Sequence, residues 1–246
     1  MFNLVWLVPI LPLVAFGAIA LGLWRNERLS TWANWVGIGV AWLISLSIFF
    51  ATWGQPHLAT EPYRQLVLRI PAGREALELG FMVDPLTGIM LFMVPTLCGL
   101  IFVYSKGYMA GDKRYSRYFA YVSLFATGML GLVVSDNLLF LYMFWEIMGL
   151  CSYLLIAFWF ERESAYKAGL KAFLTTRVGD AMLFLGLLML YSRTGTLTFS
   201  EIFTHETLEH LAASAVSVPL VGTIPATTLI AMLVFGSAVG KSGQFP

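Results

Sequence analysis

The chain has 246 residues, of which 59% are hydrophobic and 12% charged, and its mean hydropathy is +0.78. Soluble domains carry about a quarter charged residues, so this composition excludes a soluble globular domain and indicates an integral membrane protein embedded in a lipid bilayer. Fifteen basic residues against fourteen acidic ones leave a net charge of +1, which excludes the basic field of a nucleic-acid binder.

A membrane-spanning helix needs about 20 mostly apolar residues, because hydrocarbon offers no partner to exposed backbone groups. Seven segments meet this, at approximately 3–24, 31–53, 84–105, 116–135, 137–160, 171–192 and 221–241. They predict an all-α, polytopic transmembrane helix bundle of about seven spanning helices. The first segment has no basic residue ahead of its apolar run, its first charge being Arg25, so it reads as a retained helix and not as a signal peptide. Between the second and third segments, residues 63–81 (YRQLVLRIPAGREALELGF) alternate weakly in polarity on either side of Pro-Ala-Gly, which predicts a small β-hairpin on the outer surface. Between the sixth and seventh, residues 196–214 predict a short surface helix with Ser200 as its N-cap.

The Lys and Arg residues divide unevenly between the connections. Arg25, Arg28, Lys106, Lys113, Arg114, Arg117, Arg162, Lys167 and Lys171 fall in the odd-numbered ones, whereas Arg64, Arg69, Arg74 and Arg193 fall in the even-numbered ones. By the positive-inside rule the N-terminus is outside and the odd connections are cytoplasmic. Cys98 and Cys151 lie about fifty residues apart in apolar stretches and lack the spacing of a disulfide framework, a zinc site or an iron–sulfur site. His57, His205 and His210 fall in polar connections, so no haem ligation inside the membrane is expected.

Ionisable residues inside hydrocarbon are costly and mark function. Glu146 follows Asp136 by ten residues and precedes Glu161 by fifteen, about 15 Å and 22 Å of helix, which places it near mid-bilayer. It is either a carboxyl tied to a neighbouring helix for packing or one that takes up and releases protons. The sixth segment adds Lys171, Arg177 and Asp180. Arg177 and Asp180, three apart, share a helix face and can pair, while Lys171 suits the interface, where its side chain can snorkel.

The C-terminal GSAVGKSGQFP resembles a phosphate-binding loop at first sight. That motif needs four residues between its glycines, and Gly236 and Gly240 have three between them, within a run (211–240) that contains no charge. The nucleotide reading fails on spacing and context. What remains is a helix rich in small residues that carries Lys241 and meets Pro246, and proline predicts an interruption near there. Lys241 is either a cytoplasmic anchor or a residue at a broken membrane helix of the kind that recurs at ion sites.

The stretch FWEIMGLCSYLLIAFWFERESAYKAGLKAFLTTRVGDAMLFLGLLMLY, together with VFGSAVGKSGQFP and the earlier DPLTGIMLFMVPTLCGLIFVYSKGYM, resembles the antiporter-like L subunit family of NADH-quinone oxidoreductase, respiratory complex I, also called subunit 5. The resemblance is strong over most of 80–246 and architectural over 1–79. It implies a bundle of fourteen or so helices with two inverted five-helix repeats, each with a broken helix and a proton half-channel. On it, Glu146 is the glutamate of the fifth helix, Lys241 the lysine at the break of the seventh, and Arg177 and Asp180 the charged pair of the TRVGD segment, with Glu146 and Lys241 forming an ion pair within the membrane. Residues 1–110 then form an N-terminal three-helix region with the outer hairpin, and 111–246 an incomplete first antiporter-like repeat.

The family's motif continues past the position of Pro246, so the sequence is read as an N-terminal fragment or incomplete gene. It lacks the second repeat and its distal lysines and is not expected to be a complete pump. The resemblance also implies no cofactor and no metal in this chain, with NADH, FMN, iron–sulfur clusters and quinone on partner subunits, and with other membrane-arm subunits of complex I as partners in a plasma or inner membrane. A subunit of a monovalent cation/proton antiporter and a structural membrane subunit without an ion path are the alternatives.

Overall fold

The computed structural model describes residues 1–72, 75–218 and 222–244. A 3-10 turn at Phe2–Leu4 leads into α1 (Leu7–Ala18), which relaxes into a π turn at Ile19–Leu23. The long helices α2 (Glu27–Thr52), α3 (Pro85–Tyr108), α4 (Tyr115–Val134), α5 (Leu138–Ile156) and α6 (Glu163–Thr194) follow. With the N-terminal segment Phe2–Leu23 they make six helical segments long and apolar enough to cross a membrane. Their starts are marked by local chemistry. Asn26, Asp84 and Asn137 each accept a hydrogen bond from the backbone N–H three residues on, at 3.1, 2.6 and 2.7 Å, and so satisfy an orphan donor of the first turn.

Between α2 and α3 lies the expected hairpin, β1 (Tyr63–Ala72) paired antiparallel with β2 (Glu75–Val83), with an irregularity between Leu66 and Leu68. Pro71 and Ala72 pair with Ala76 and Glu75, so they end a strand and do not form the turn, and Gly73 and Arg74 lie outside the described residues. Between α6 and the last helix come α7 (Phe199–Ile202), α8 (His205–Ala213) and a second hairpin, β3 (Ala215–Val218) with β4 (Gly222–Pro225). The N-cap positions here are Thr198 and Thr204, and Ser200 sits inside α7. Thr198 precedes the turn in extended geometry, which an N-cap requires, whereas Ser200 is already helical.

Two span boundaries differ from expectation. The sixth helix begins at Glu163, eight residues before Lys171, and runs for 32 residues, about 48 Å, so its basic first turns project beyond the hydrocarbon. The seventh, α9 (Ala226–Ser242), has 17 residues, about 25 Å, and falls short of a full span. Its predicted first turn is the strand Gly222–Pro225, rich in β-branched residues and ended by Pro225, which suits a helix start better than its interior. The helix stops at Gly243, whose φ of 58° is left-handed, with the N–H groups of Gly243 and Gln244 turned back to Gly240 and Val239. That glycine terminator precedes the expected break at Pro246, which lies outside the described residues.

Helices α1 to α4 enclose the main apolar core, including Val8, Ile38, Leu91, Phe102, Val122 and Leu130. Polar pairs fasten α2 to α4 inside it: Ser30 with Ser116 at 3.0 Å, Thr31 with Tyr115 at 2.8 Å and Asn34 with Ser123 at 2.6 Å. Such bonds hold helices together where apolar burial alone cannot distinguish neighbour from lipid. At the hairpin end, the buried carboxylate of Asp136 accepts from Arg64 Nε at 2.7 Å, from the backbone N–H of Gly80 at 2.8 Å and from Asn137 Nδ2 at 2.7 Å. Asn137 also donates to the carbonyl of Glu78 at 2.7 Å. These bonds tie the hairpin to the α4–α5 connection, and only glycine fits at position 80, where a Cβ would lie 2.5 Å from Asp136 Oδ2.

At the opposite end Asp112 accepts from Trp159 Nε1 at 2.9 Å, and Arg114 bonds Glu161 at 2.7 Å and the carbonyl of Phe158 at 3.2 Å. The α3–α4 connection is thereby clasped to the α5–α6 connection.

Asp136→Ala leaves Arg64 without its buried partner and is expected to lower stability by about 3 kcal/mol, the low end for breaking such a pair, measured by thermal denaturation in detergent. The Trp159 and Arg114 N–H donors hold the Asp112 carboxyl below its usual range. A depressed folded pKa stabilises above the unfolded value and is lost as pH falls through the folded one. The Trp159 indole resonance should therefore titrate with a midpoint below about 3.9 and should not titrate in Asp112→Asn.

Candidate ion-translocation site

Close backbone contact decides where Lys241 lies. A Cβ on Gly179 of α6 would fall 3.1 Å from the Cα of Ser237 and 3.3 Å from that of Gly240, and one on Gly240 would fall 3.2 Å from the Cα of Gly179. Small residues at such positions let membrane helices approach backbone to backbone. Gly236 and Gly240 thus lie within a continuous helix and serve packing, in keeping with the failure of the phosphate-loop reading. The contact brings the last turn of α9 beside the interior of α6 and of α5, so α9 ends within the depth that those helices span.

Lys241 occupies that last turn. Its Nζ donates to the backbone carbonyl of Trp145 at 2.9 Å and sits 4.6 Å from the centre of the Trp145 ring, a favourable place for a cation. The Trp145 indole donates to Asp180 Oδ1 at 2.7 Å, and Ser237 Oγ donates to the same oxygen at 3.4 Å. Glu146, the next residue of α5, pairs with Arg177 of α6, whose guanidinium also lies 4.7 Å from the ring centre of Phe173. The site therefore draws Trp145 and Glu146 from α5, Arg177 and Asp180 from α6, and Ser237 and Lys241 from α9.

The structure corrects two pairings. The ion pair implied between Glu146 and Lys241 is not formed, and among the described residues the partner of Glu146 is Arg177. Successive residues of a helix are turned by about 100°, so Trp145 and Glu146 face different sectors: Lys241 and Asp180 reach the first and Arg177 the second. Nor do Arg177 and Asp180 pair with each other. A same-helix pair three apart contributes only about 0.2–0.5 kcal/mol, and each finds a better partner on α5. Lys171 is exposed, nine residues or about 14 Å along α6 from Asp180, and lies outside the cluster.

Glu146, Asp180, Arg177 and Lys241 together carry two negative and two positive formal charges, which leaves no net charge to be desolvated. Among the described residues two carboxylate oxygens, Glu146 Oε1 and Asp180 Oδ2, are buried without a hydrogen-bond partner. Buried unsatisfied oxygens are where a proton or a water binds, and here both lie on groups that can change charge. Trp145 and Gly179 carry much of this geometry and were not singled out from the sequence. An indole beside a mid-membrane glutamate, with an N–H that needs an acceptor, and Gly179 placed one residue before Asp180 were the available signals.

Residues 135–246 match the family described as NADH:quinone oxidoreductase/Mrp antiporter, TM, and residues 70–119 match NADH-Ubiquinone oxidoreductase (complex I), chain 5 N-terminus. Over the whole chain the protein is 41% identical to NAD(P)H-quinone oxidoreductase subunit 5, chloroplastic, of Chlorokybus atmophyticus and 41% identical to NAD(P)H-quinone oxidoreductase chain 5 of Synechocystis sp.. It spans 38% and 36% of the length of those two relatives. A solved structure of the Mrp complex from Dietzia sp. DQ12-45-1b superposes with a TM-score of 0.73 at 26% identity, covering 97% of this chain and 24% of that one. The six apolar helices, the short seventh helix carrying Lys241 into the interior and these matches lead to one assignment: the chain belongs to the antiporter-like subunit 5 family of NADH-quinone oxidoreductase.

Proposed function

We propose that the chain works as a membrane-arm subunit of a proton-translocating NADH-quinone oxidoreductase, in which Glu146, Arg177, Asp180 and Lys241 form part of the proton path. The observation that carries the reading is the neutral cluster where α5, α6 and α9 meet, around the buried Asp180, with one unpartnered buried oxygen on each of its two carboxylates among the described residues. A proton arriving at Glu146 cancels its charge and weakens its hold on Arg177. The cluster then carries a net positive charge in a low-dielectric setting, which favours loss of a proton elsewhere, at Lys241. Movement of charge is thus coupled to rearrangement of the ion-bearing side chains of α6 and α9 against α5. Lys171, at the exposed flank of α6, serves at most as an antenna at the entrance.

The same reading places the N-terminus outside, the odd connections in the cytoplasm and the protein in a plasma or inner membrane, supported by the basic residues gathered at the Arg25, Lys106 and Arg162 end. Residues 1–110 act as the N-terminal region with its outer hairpin and residues 111–246 as part of an antiporter-like repeat. Flavin, iron–sulfur clusters and quinone belong to partner subunits, and this chain contributes no redox group. Its partners are the neighbouring membrane-arm subunits and lipid, and it binds no nucleic acid.

A second reading, a subunit of a monovalent cation/proton antiporter, is favoured by the likeness to the Mrp complex structure. Translocation that follows a sodium gradient without NADH oxidation supports it, and sodium-independent translocation that stops with NADH oxidation supports the first reading.

In the full-length subunit, assembled in its complex and reconstituted in vesicles, Glu146→Gln is expected to lower the protons moved per NADH oxidised by about tenfold or more, the scale on which a lost proton-transfer group acts. Unimpaired pumping would remove Glu146 from the path. A tag on the α3–α4 connection is expected to be reached only from the cytoplasmic face, and labelling from the outside would invert the proposed topology.

A further inference from the structure

Gly149 of α5 sits one turn beyond Trp145. An ideal Cβ built there would lie 3.7 Å from Lys241 Nζ and 3.9 Å from Asp180 Oδ2, and among the described residues these are its only neighbours within 4 Å outside its own helix. One point in space is therefore flanked by the amine of α9 and by the unpartnered oxygen of a carboxylate that is 1% exposed. Asp180 and Lys241 form no ion pair within 4.0 Å of each other; among the described residues the only ion pair in the cluster is that of Arg177 with Glu146. The separation between them is thus too long for a direct bond, while both lie within reach of the spot that a side chain at 149 would fill.

We propose that Gly149 is a positioning residue whose lack of a side chain keeps a water-sized slot between Asp180 Oδ2 and Lys241 Nζ, and that Trp145 fixes the walls of this slot. The inference deepens the proton-path reading and rests on it. Trp145 holds both walls at once: its indole N–H binds Asp180 through Oδ1 and so leaves Oδ2 turned to the slot, while its carbonyl and ring hold the ammonium of Lys241. A water in the slot accepts from the ammonium and donates to Oδ2. In the transfer the ammonium N–H bond breaks as the water gains that proton, and one water O–H bond breaks as Oδ2 gains another. The amine and the carboxylic acid are then both neutral, the water is regenerated and the cluster's net charge is unchanged, so the step needs no further charge to enter the bundle. Without the indole bond Oδ1 would be free to turn to Lys241, and the two groups could close directly into a pair.

Substitution at 149 tests this without disturbing the fold. The neighbours of the added methyl are at ordinary contact distances, no backbone lies among them, and alanine favours a helix interior over glycine. In the full-length subunit, within its complex in proteoliposomes, we measure protons moved per NADH oxidised for Gly149→Ala, Gly149→Ser and Glu146→Gln. The methyl of Gly149→Ala displaces the water, and the ratio is expected to fall at least fivefold. Gly149→Ser puts a hydroxyl in the place of the water, and its ratio is expected to recover to within about twofold of wild type, as for a water replaced by a group that reproduces its hydrogen bonds. A purely steric role predicts the reverse order, because serine is larger than alanine. A normal ratio in Gly149→Ala, or equal impairment in both variants, overturns the slot, and failure of both to assemble contradicts the packing on which it stands. If Glu146→Gln loses pumping while Gly149→Ala keeps it, the slot alone falls; if both pump normally, the proton-path reading falls with it.

Discussion

The arrangement of this bundle depends on the cost of holding charge in hydrocarbon. A single uncompensated ion there is so unfavourable that it neutralises or finds a partner. Four ionisable side chains lie together where α5, α6 and α9 meet, and they are tolerable because their formal charges cancel and because α5 supplies a partner to each of the three on the other helices: Glu146 to Arg177, the Trp145 indole to Asp180, the Trp145 carbonyl and ring to Lys241. Such a balance is static only while every proton stays in place. One proton added or removed leaves the cluster charged, which is the condition under which movement at one end has a consequence at the other.

The rest of the structure keeps these partners within reach. Gly179 and Gly240 let α9 touch α6 along the backbone, and the left-handed stop at Gly243 ends α9 beside the cluster. Lysine in the last turn of a helix also meets the negative end of the helix dipole. The clasps at the two ends, Asp136 with Arg64 and Gly80, and Asp112 with Trp159, fix the connections on either side of α5. The helix that carries Trp145 and Glu146 is thereby held at both ends, and α4 packs against its interior, where Gly128 and Gly131 leave room for Met148 and Phe144.

Much of the architecture was legible in the sequence because a bilayer imposes a coarse rule: six of seven apolar runs became full spans, and the hairpin at 63–81 followed from alternation about a turn. The seventh run was misjudged because absence of charge does not distinguish a helix from the β-branched strand that Pro225 ends. Glu146 and Asp180 stand out in the sequence for the same reason as the spans, since a carboxylate is out of place in oil, whereas Lys241 reads equally well as a cytoplasmic anchor until the family resemblance is drawn. The pairing of the charged residues was not legible. It depends on which sector of α5 each charged side chain of α6 and α9 reaches, a rotation that local spacing does not encode; the implied Glu146–Lys241 pair gives way to Glu146–Arg177 on that account. Trp145 and Gly149 were passed over because one reads as an apolar core residue and the other as punctuation, although both matter here through what surrounds them.

The central claim, that Glu146 is paired directly with Arg177 and meets Lys241 only through the field of the cluster, is tested most directly by double-mutant cycles on the stability of the folded subunit, with Glu146→Gln combined in turn with Arg177→Gln and with Lys241→Gln. The account predicts a coupling energy of about 1 kcal/mol or more for the first pair, the range for residues in contact, and a smaller one for the second, which interacts only through the cluster's field. A larger coupling between Glu146 and Lys241 than between Glu146 and Arg177 would contradict it.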